Sequence, residues 1–168
     1  MNNIPVVSVV GESGSGKTTF LEKLIGELKA RKIRVGIIKH HVHDIEIDTP
    51  GKDTWRHSRA GADMVAISTP GKVGLFRRLD RELELDELAQ MMGDVDIILT
   101  EGYKRGKKPK IEVSRRAHSK KLVSDPAQLI ALVSDVRWDL GVPVFGLEDF
   151  KGVADFLQSA YSLNTRQT

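Results

Sequence analysis

Val6-Val7-Ser8-Val9-Val10 runs directly into Gly11-Glu12-Ser13-Gly14-Ser15-Gly16-Lys17-Thr18-Thr19. A short apolar strand thus opens onto the spacing G-x-x-x-x-G-K-T, the phosphate-binding loop that joins a strand to a helix. The glycines let the backbone curl so that successive N–H groups point inward at a phosphate chain. The Lys17 ammonium reaches the β- and γ-phosphates, which makes it the first catalytic candidate, and the Thr18 hydroxyl is placed to ligate Mg²⁺. The helix that begins here adds the positive end of its dipole. The nucleotide-contacting set is therefore Gly11, Ser13, Gly14, Ser15, Gly16, Lys17, Thr18 and Thr19.

Beyond this motif, apolar runs alternate with segments of helical period, which argues for an α/β fold on a mostly parallel sheet. Phe20, Leu21, Leu24, Ile25 and Leu28 recur at helical spacing; residues 34–39, 95–100 and 129–133 read as strands, and 142–145 as an edge strand because of Pro143. A short strand is expected over 111–113, and helices near 54–60, 83–92 and 150–161. Residues 64–68 and 73–77 are β-type runs about a Thr69-Pro70-Gly71-Lys72 turn, an antiparallel hairpin expected at the sheet edge. The fold class is accordingly a P-loop NTPase three-layer sandwich. At 168 residues, one domain is expected, with 162–168 as a frayed tail.

No apolar run approaches the roughly 18 residues of a membrane span. The N-terminus lacks a signal pattern and there is no cysteine, so a cytoplasmic location is expected. Basic residues crowd 104–121 against the single acid Glu112, a field that suits an anion, a phosphorylated substrate or an acidic partner. Aromatics are not interleaved there apart from Tyr103, so nucleic acid is not an expected partner.

In open α/β sheets a ligand sits beyond the carboxyl ends of the strands, which directs attention to the loops after Val10, Lys39, Leu99 and Val133. Glu101 ends the 95–100 run, where a Walker-B acid would help to hold Mg²⁺. Asp96, roughly 16 Å away along the strand, reads as a capping residue at the strand start. His40-His41-Val42-His43-Asp44 admits three readings: a transition-metal loop, a phosphate-facing switch with Asp44 near Mg²⁺ or the attacking water, or an exposed polar loop. Asp135 is placed to accept hydrogen bonds from guanine N1–H and N2–H₂, although the N-K-x-D signature is absent. Asp48, Lys52, Asp53, Arg56 and Arg59 form a charged segment for substrate contact, and Trp55 reads as a packing anchor.

The P-loop, Lys39-His40-His41-Val42-His43-Asp44, Asp48-Thr49-Pro50-Gly51-Lys52-Asp53-Thr54-Trp55-Arg56, Ala60-Gly61-Ala62, Leu99-Thr100-Glu101-Gly102-Tyr103-Lys104 and Pro109-Lys110-Ile111-Glu112-Val113 together resemble the MobB family of molybdopterin-guanine dinucleotide biosynthesis adapters. Val42 departs from the further histidine expected in many relatives. The resemblance implies GTP binding, weak Mg²⁺-dependent GTP hydrolysis, homodimerisation and cooperation with the guanylyltransferase MobA on a molybdopterin substrate. His40, His41, His43, Lys52, Arg56, Lys104 and Lys110 then become candidate substrate or partner contacts. A small-molecule kinase with Asp44 as base, and a nucleotide-gated metallochaperone using the histidines, are the competing readings.

Overall fold

The computed structural model describes residues 4–41, 43, 45–119 and 121–163. Asp44, the expected base or water-positioning group, lies outside the described residues. Along the chain run β1 (Val6–Val10), α1 (Lys17–Ala30), β2 (Val35–Lys39), α2 (Asp53–Arg59), β3 (Met64–Thr69), β4 (Lys72–Arg77), α3 (Leu85–Met91), β5 (Ile97–Glu101), β6 (Lys110–Ser114), β7 (Leu129–Ser134), β8 (Val144–Phe145) and α4 (Phe150–Ala160). The chain forms two compact units, one of Met1–His40 with Leu85–Thr168 and one of His41–Glu84.

The larger unit holds a six-stranded sheet in the order β2-β5-β1-β6-β7-β8, with every neighbouring pair parallel. All five residues of β1 are buried, as a strand covered on both faces requires. Alternation assigns them to two layers. Val7 and Val9 join Phe20, Leu21, Leu24 and Leu28 of α1 and Val153 and Leu157 of α4. Val6 joins Ile98, Leu85 and the flanking Ala89 and Met92 on the α3 side. The expected three-layer sandwich follows. Arg31 ties the two helices of the first layer together, its Nη1 donating to Asp155 Oδ1 at 2.5 Å and to Gln158 Oε1 at 3.2 Å. Asp149 caps α4, its Oδ1 accepting from Gly152 N at 2.9 Å. Asp96 takes the capping role expected of it, with Oδ2 accepting from Arg34 N at 2.7 Å.

β6 is longer and more deeply placed than its sequence suggests. Ile111 and Val113 face the main cluster, while Lys110 and Glu112 are fully buried as well. The Lys110 ammonium donates to the carbonyl oxygens of Gly106 and Lys108 and to the Gln128 side-chain oxygen. Burial holds its pKa below the usual lysine value. Lys110 is therefore an internal tie, not the exposed substrate or partner contact expected: three carbonyl groups replace its water. Glu112 accepts from Val123 N and Ser124 N, each at 2.8 Å, and so holds down the segment that follows β6.

In the smaller unit, β3 and β4 pair antiparallel from Met64↔Arg77 to Thr69↔Lys72, with the turn where the sequence places it. The antiparallel hairpin expected from the break in the parallel alternation is present, as a two-stranded sheet of its own. Arg78 fixes it within its own unit through N to Asp63 O and Nη2 to Ser58 O, both at 2.9 Å. One face carries exposed apolar side chains: Met64 is 52% exposed, Leu75 48% and Val73 73%.

Candidate functional site

The sheet order sets β5, β1 and β6 side by side, so their carboxyl ends deliver Glu101, the loop 11–16 and Arg115 to one edge. Gly11 (φ 149°) and Gly16 (φ 91°) adopt backbone conformations closed to most side chains. A β-carbon at Gly11 would stand 2.3 Å from Val113 O and 2.8 Å from Ser15 Oγ. The loop is thus seated against β6 with no room for a side chain. α1 begins immediately after it, without a side-chain cap on its first turn, which leaves helix N–H groups directed at the loop.

Glu101 and Thr18, on different elements, meet. Thr18 Oγ1 donates to Glu101 Oε1 at 2.8 Å, and Lys39 Nζ lies 3.6 Å from Glu101 Oε2. A hydroxyl and a carboxylate brought together are hard oxygen donors of the kind Mg²⁺ accepts, so the residues fit the ion. Lys17 Nζ donates to Glu12 O at 2.7 Å, folding its side chain over the loop. Burial first, then the charges of Lys104 and Lys39, push its pKa below the usual lysine value, against the opposing pull of Glu101. Lys17 thus feels two further lysines and one carboxylate, a net positive field that favours an anion.

Asp135 follows β7 and is exposed. Its Oδ1 accepts from Arg116 N at 2.8 Å, and it borders an open cleft of about 380 Å³ lined also by Ser134, Arg137, Trp138, Phe145 and Gly146. Trp138 Nε1 is buried there without a hydrogen-bond partner among the described residues. A second, small cleft runs from Ser15, Gly16 and Thr19 past Arg115 to Leu147 and Glu148. Gly146 lines the first cleft and Leu147, next in the chain, lines the second.

Sequence reasoning missed the loop after β6. Arg115 Nη2 would lie 3.4 Å, and His118 Nδ1 3.3 Å, from β-carbons placed on Gly16 and Gly14 respectively. Arg115 is one of a long basic run, and only its position next to β1 in the sheet distinguishes it.

The histidine segment divides. His40 belongs to the larger unit: its N donates to Glu101 O at 3.0 Å, and its ring lies 4.6 Å from that of Tyr103. Lys104, next in sequence, is exposed. His41, His43, Lys52 and Arg56 belong to the smaller unit. There His43 N donates to His41 Nδ1 at 3.4 Å, and Lys52 and Arg56 are exposed at the start and on the surface of α2. Trp55 donates from Nε1 to Glu46 Oε2 at 3.0 Å with Arg59 over its ring at 5.7 Å, an anchoring role. Among the described residues no group of three or more His, Asp or Glu is arranged to hold a metal ion, and no helix is long and apolar enough to cross a membrane.

Residues 6–135 match the family described as MobB, molybdopterin guanine dinucleotide synthesis protein B. The chain is 38% identical to the molybdopterin-guanine dinucleotide biosynthesis adapter protein of Escherichia coli, over 92% of this chain and 91% of that one. It is 35% identical to the Haemophilus influenzae protein of the same description, over 94% and 90%. The crystal structure of Bacillus subtilis MobB superposes with a TM-score of 0.74 at 31% identity, covering 96% of this chain and 99% of that chain.

Proposed function

The chain belongs to the MobB family, and from that premise we propose that it is a GTP-binding adapter in molybdopterin-guanine dinucleotide biosynthesis, with a weak Mg²⁺-dependent GTPase activity. The observation that carries the nucleotide part is the Thr18–Glu101 hydrogen bond at 2.8 Å, which joins the phosphate loop to the end of β5. Thr18 and Glu101 would hold Mg²⁺, which when bound neutralises phosphate charge. Lys17 meets the β- and γ-phosphates, and the N–H groups of residues 13–18 wrap them. These groups bind and orient; they agree with a slow enzyme that assists a guanylyltransferase, MobA. Lys104, Arg105 and Lys107 are exposed and suit an acidic partner surface or a pterin phosphate.

Guanine is assigned to the Asp135 cleft. Both oxygens of a carboxylate carry two lone pairs, so the Arg116 bond leaves capacity for N1–H and N2–H₂. Adenine presents no adjacent donor pair. Asp135→Ala is expected to reduce the preference for GTP over ATP about tenfold or more, in line with the loss of a charge-assisted contact. Calorimetric titration of both nucleotides measures it; equal affinities already in the wild type would remove the guanine assignment.

The homodimer is supported by the hairpin's exposed Met64, Val73 and Leu75, an apolar face of the sort that associates. Val73→Asp is expected to shift the protein from dimer to monomer in sedimentation velocity at micromolar concentration. A variant that sediments as the wild type would show that this face is not the contact.

A further inference from the structure

Four buried side-chain polar atoms lack a hydrogen-bond partner among the described residues: Ser15 Oγ, Arg115 Nε, Ser124 Oγ and Trp138 Nε1. Three of the residues that carry them line clefts at the carboxyl end of the sheet, Ser15 and Arg115 the small one and Trp138 the one beside Asp135. A buried donor without a partner destabilises a fold, so a group of them at one edge marks where a ligand supplies the missing acceptors. Arg115 is the strongest case. It carries a full charge, it stands over Gly16, and it lies on the β6 side of the loop while Glu101 lies on the β5 side.

The main chain around Arg115 is held firmly. Arg115 N donates to Ser119 Oγ at 3.1 Å, and Ser119 N and His118 N both donate to Arg115 O, at 2.7 and 2.8 Å. This compact turn brings His118 over Gly14. Next to it, Arg116 N is tied to Asp135, and further on Glu112 holds Val123 and Ser124.

We propose that Arg115, with His118 beside it, is a second phosphate grip that closes on the nucleotide from the β6 side and recognises its α- and β-phosphates. This rests on the nucleotide-binding reading above and adds its own residue to it. Arg115 lines the small cleft together with Ser15, Gly16 and Thr19, and Arg116, next in the chain, donates from its N to Asp135 Oδ1, so Arg115 lies between the phosphate loop and the residue assigned to the base. Its guanidinium fork suits phosphate oxygens. A grip at that position acts alike on diphosphate and triphosphate and does not depend on Mg²⁺, which belongs to the Glu101 side.

Calorimetry with GTP, GDP and guanosine, each with Mg²⁺ and with EDTA, tests this on the wild type, Arg115→Gln, Arg115→Lys and Glu101→Gln. Arg115→Gln is expected to weaken GTP and GDP equally, about 30-fold, with and without Mg²⁺, and to leave guanosine unchanged. Glu101→Gln is expected to weaken binding only when Mg²⁺ is present. A wild type that binds no guanine nucleotide would sink the parent reading. A wild type that binds while Arg115→Gln binds equally well overturns the Arg115 inference alone. Thermal melting without nucleotide checks the fold of the variant. If Arg115→Gln melts early, Arg115→Lys decides: it keeps charge but not the fork, and an unchanged GDP affinity there overturns the grip.

Discussion

Lys17→Ala is expected to lose GTP binding by at least about a hundredfold, the worth of a charge-assisted phosphate contact in a partly buried site, without losing the fold. The reason for the second half is local. The ammonium is disfavoured by burial and by Lys104 and Lys39, and is relieved only in part by Glu101. A lysine whose folded pKa lies below its unfolded value of 10.5 is penalised at every pH below that lowered value. The penalty is full below the lowered value and fades as pH rises through it toward 10.5. Alanine removes the ammonium and its repulsion together. Melting temperature without nucleotide should therefore stay level or rise, while the increase normally produced by GTP disappears. A variant that still gains thermal stability from GTP as the wild type does would refute the assignment of Lys17.

Gly11→Ala should act in the opposite sense, on the fold itself. Its β-carbon would sit 2.3 Å from the Val113 carbonyl oxygen, and the residue holds φ 149°. The clash is with backbone of β6, not with a side chain that could turn away. The expected loss is about 3 kcal/mol or more, or a fall of roughly 6–12 °C in melting temperature for a chain this size. Gly26→Ala is the internal control. Gly26 lies within α1 with nothing within 4 Å of the added carbon, so the same chemical change should stabilise by about 0.5–1 kcal/mol. If both variants melt together, the seating of the phosphate loop on β6 is not what the geometry indicates.

These two glycines illustrate what the sequence discloses. The loop 11–18 is legible because its requirements are local: spacing, φ and the adjoining helix are all written within a dozen residues. β1, β2, β5 and β7 are legible from their apolar runs, and the β3–β4 turn from Thr69-Pro70-Gly71-Lys72. That the hairpin stands as its own sheet is not legible, since its anchors to Asp63 and Ser58 are tertiary. The burial of Lys110 is not legible either. In a run of lysines and arginines it looks solvated, and only the oxygens of Gly106, Lys108 and Gln128 make its burial possible. Arg115 escaped for the converse reason: its value comes from sheet order, which brings β6 next to β1 although about a hundred residues separate them in the chain.

Glu112 has a further consequence, for folding fidelity. Along β6, Lys110 and Glu112 share one face while Ile111 and Val113 take the other. A parallel strand that slipped by one residue would turn that order over. It would drive an ammonium and a carboxylate into the layer beneath α1 and α4 and strand them away from Gln128, Val123 and Ser124. Such a misaligned sheet is heavily penalised, whereas an all-valine strand would tolerate it. The two buried charges thus work as a key cut to a single register, and the turn that carries Arg115 inherits its position from that key.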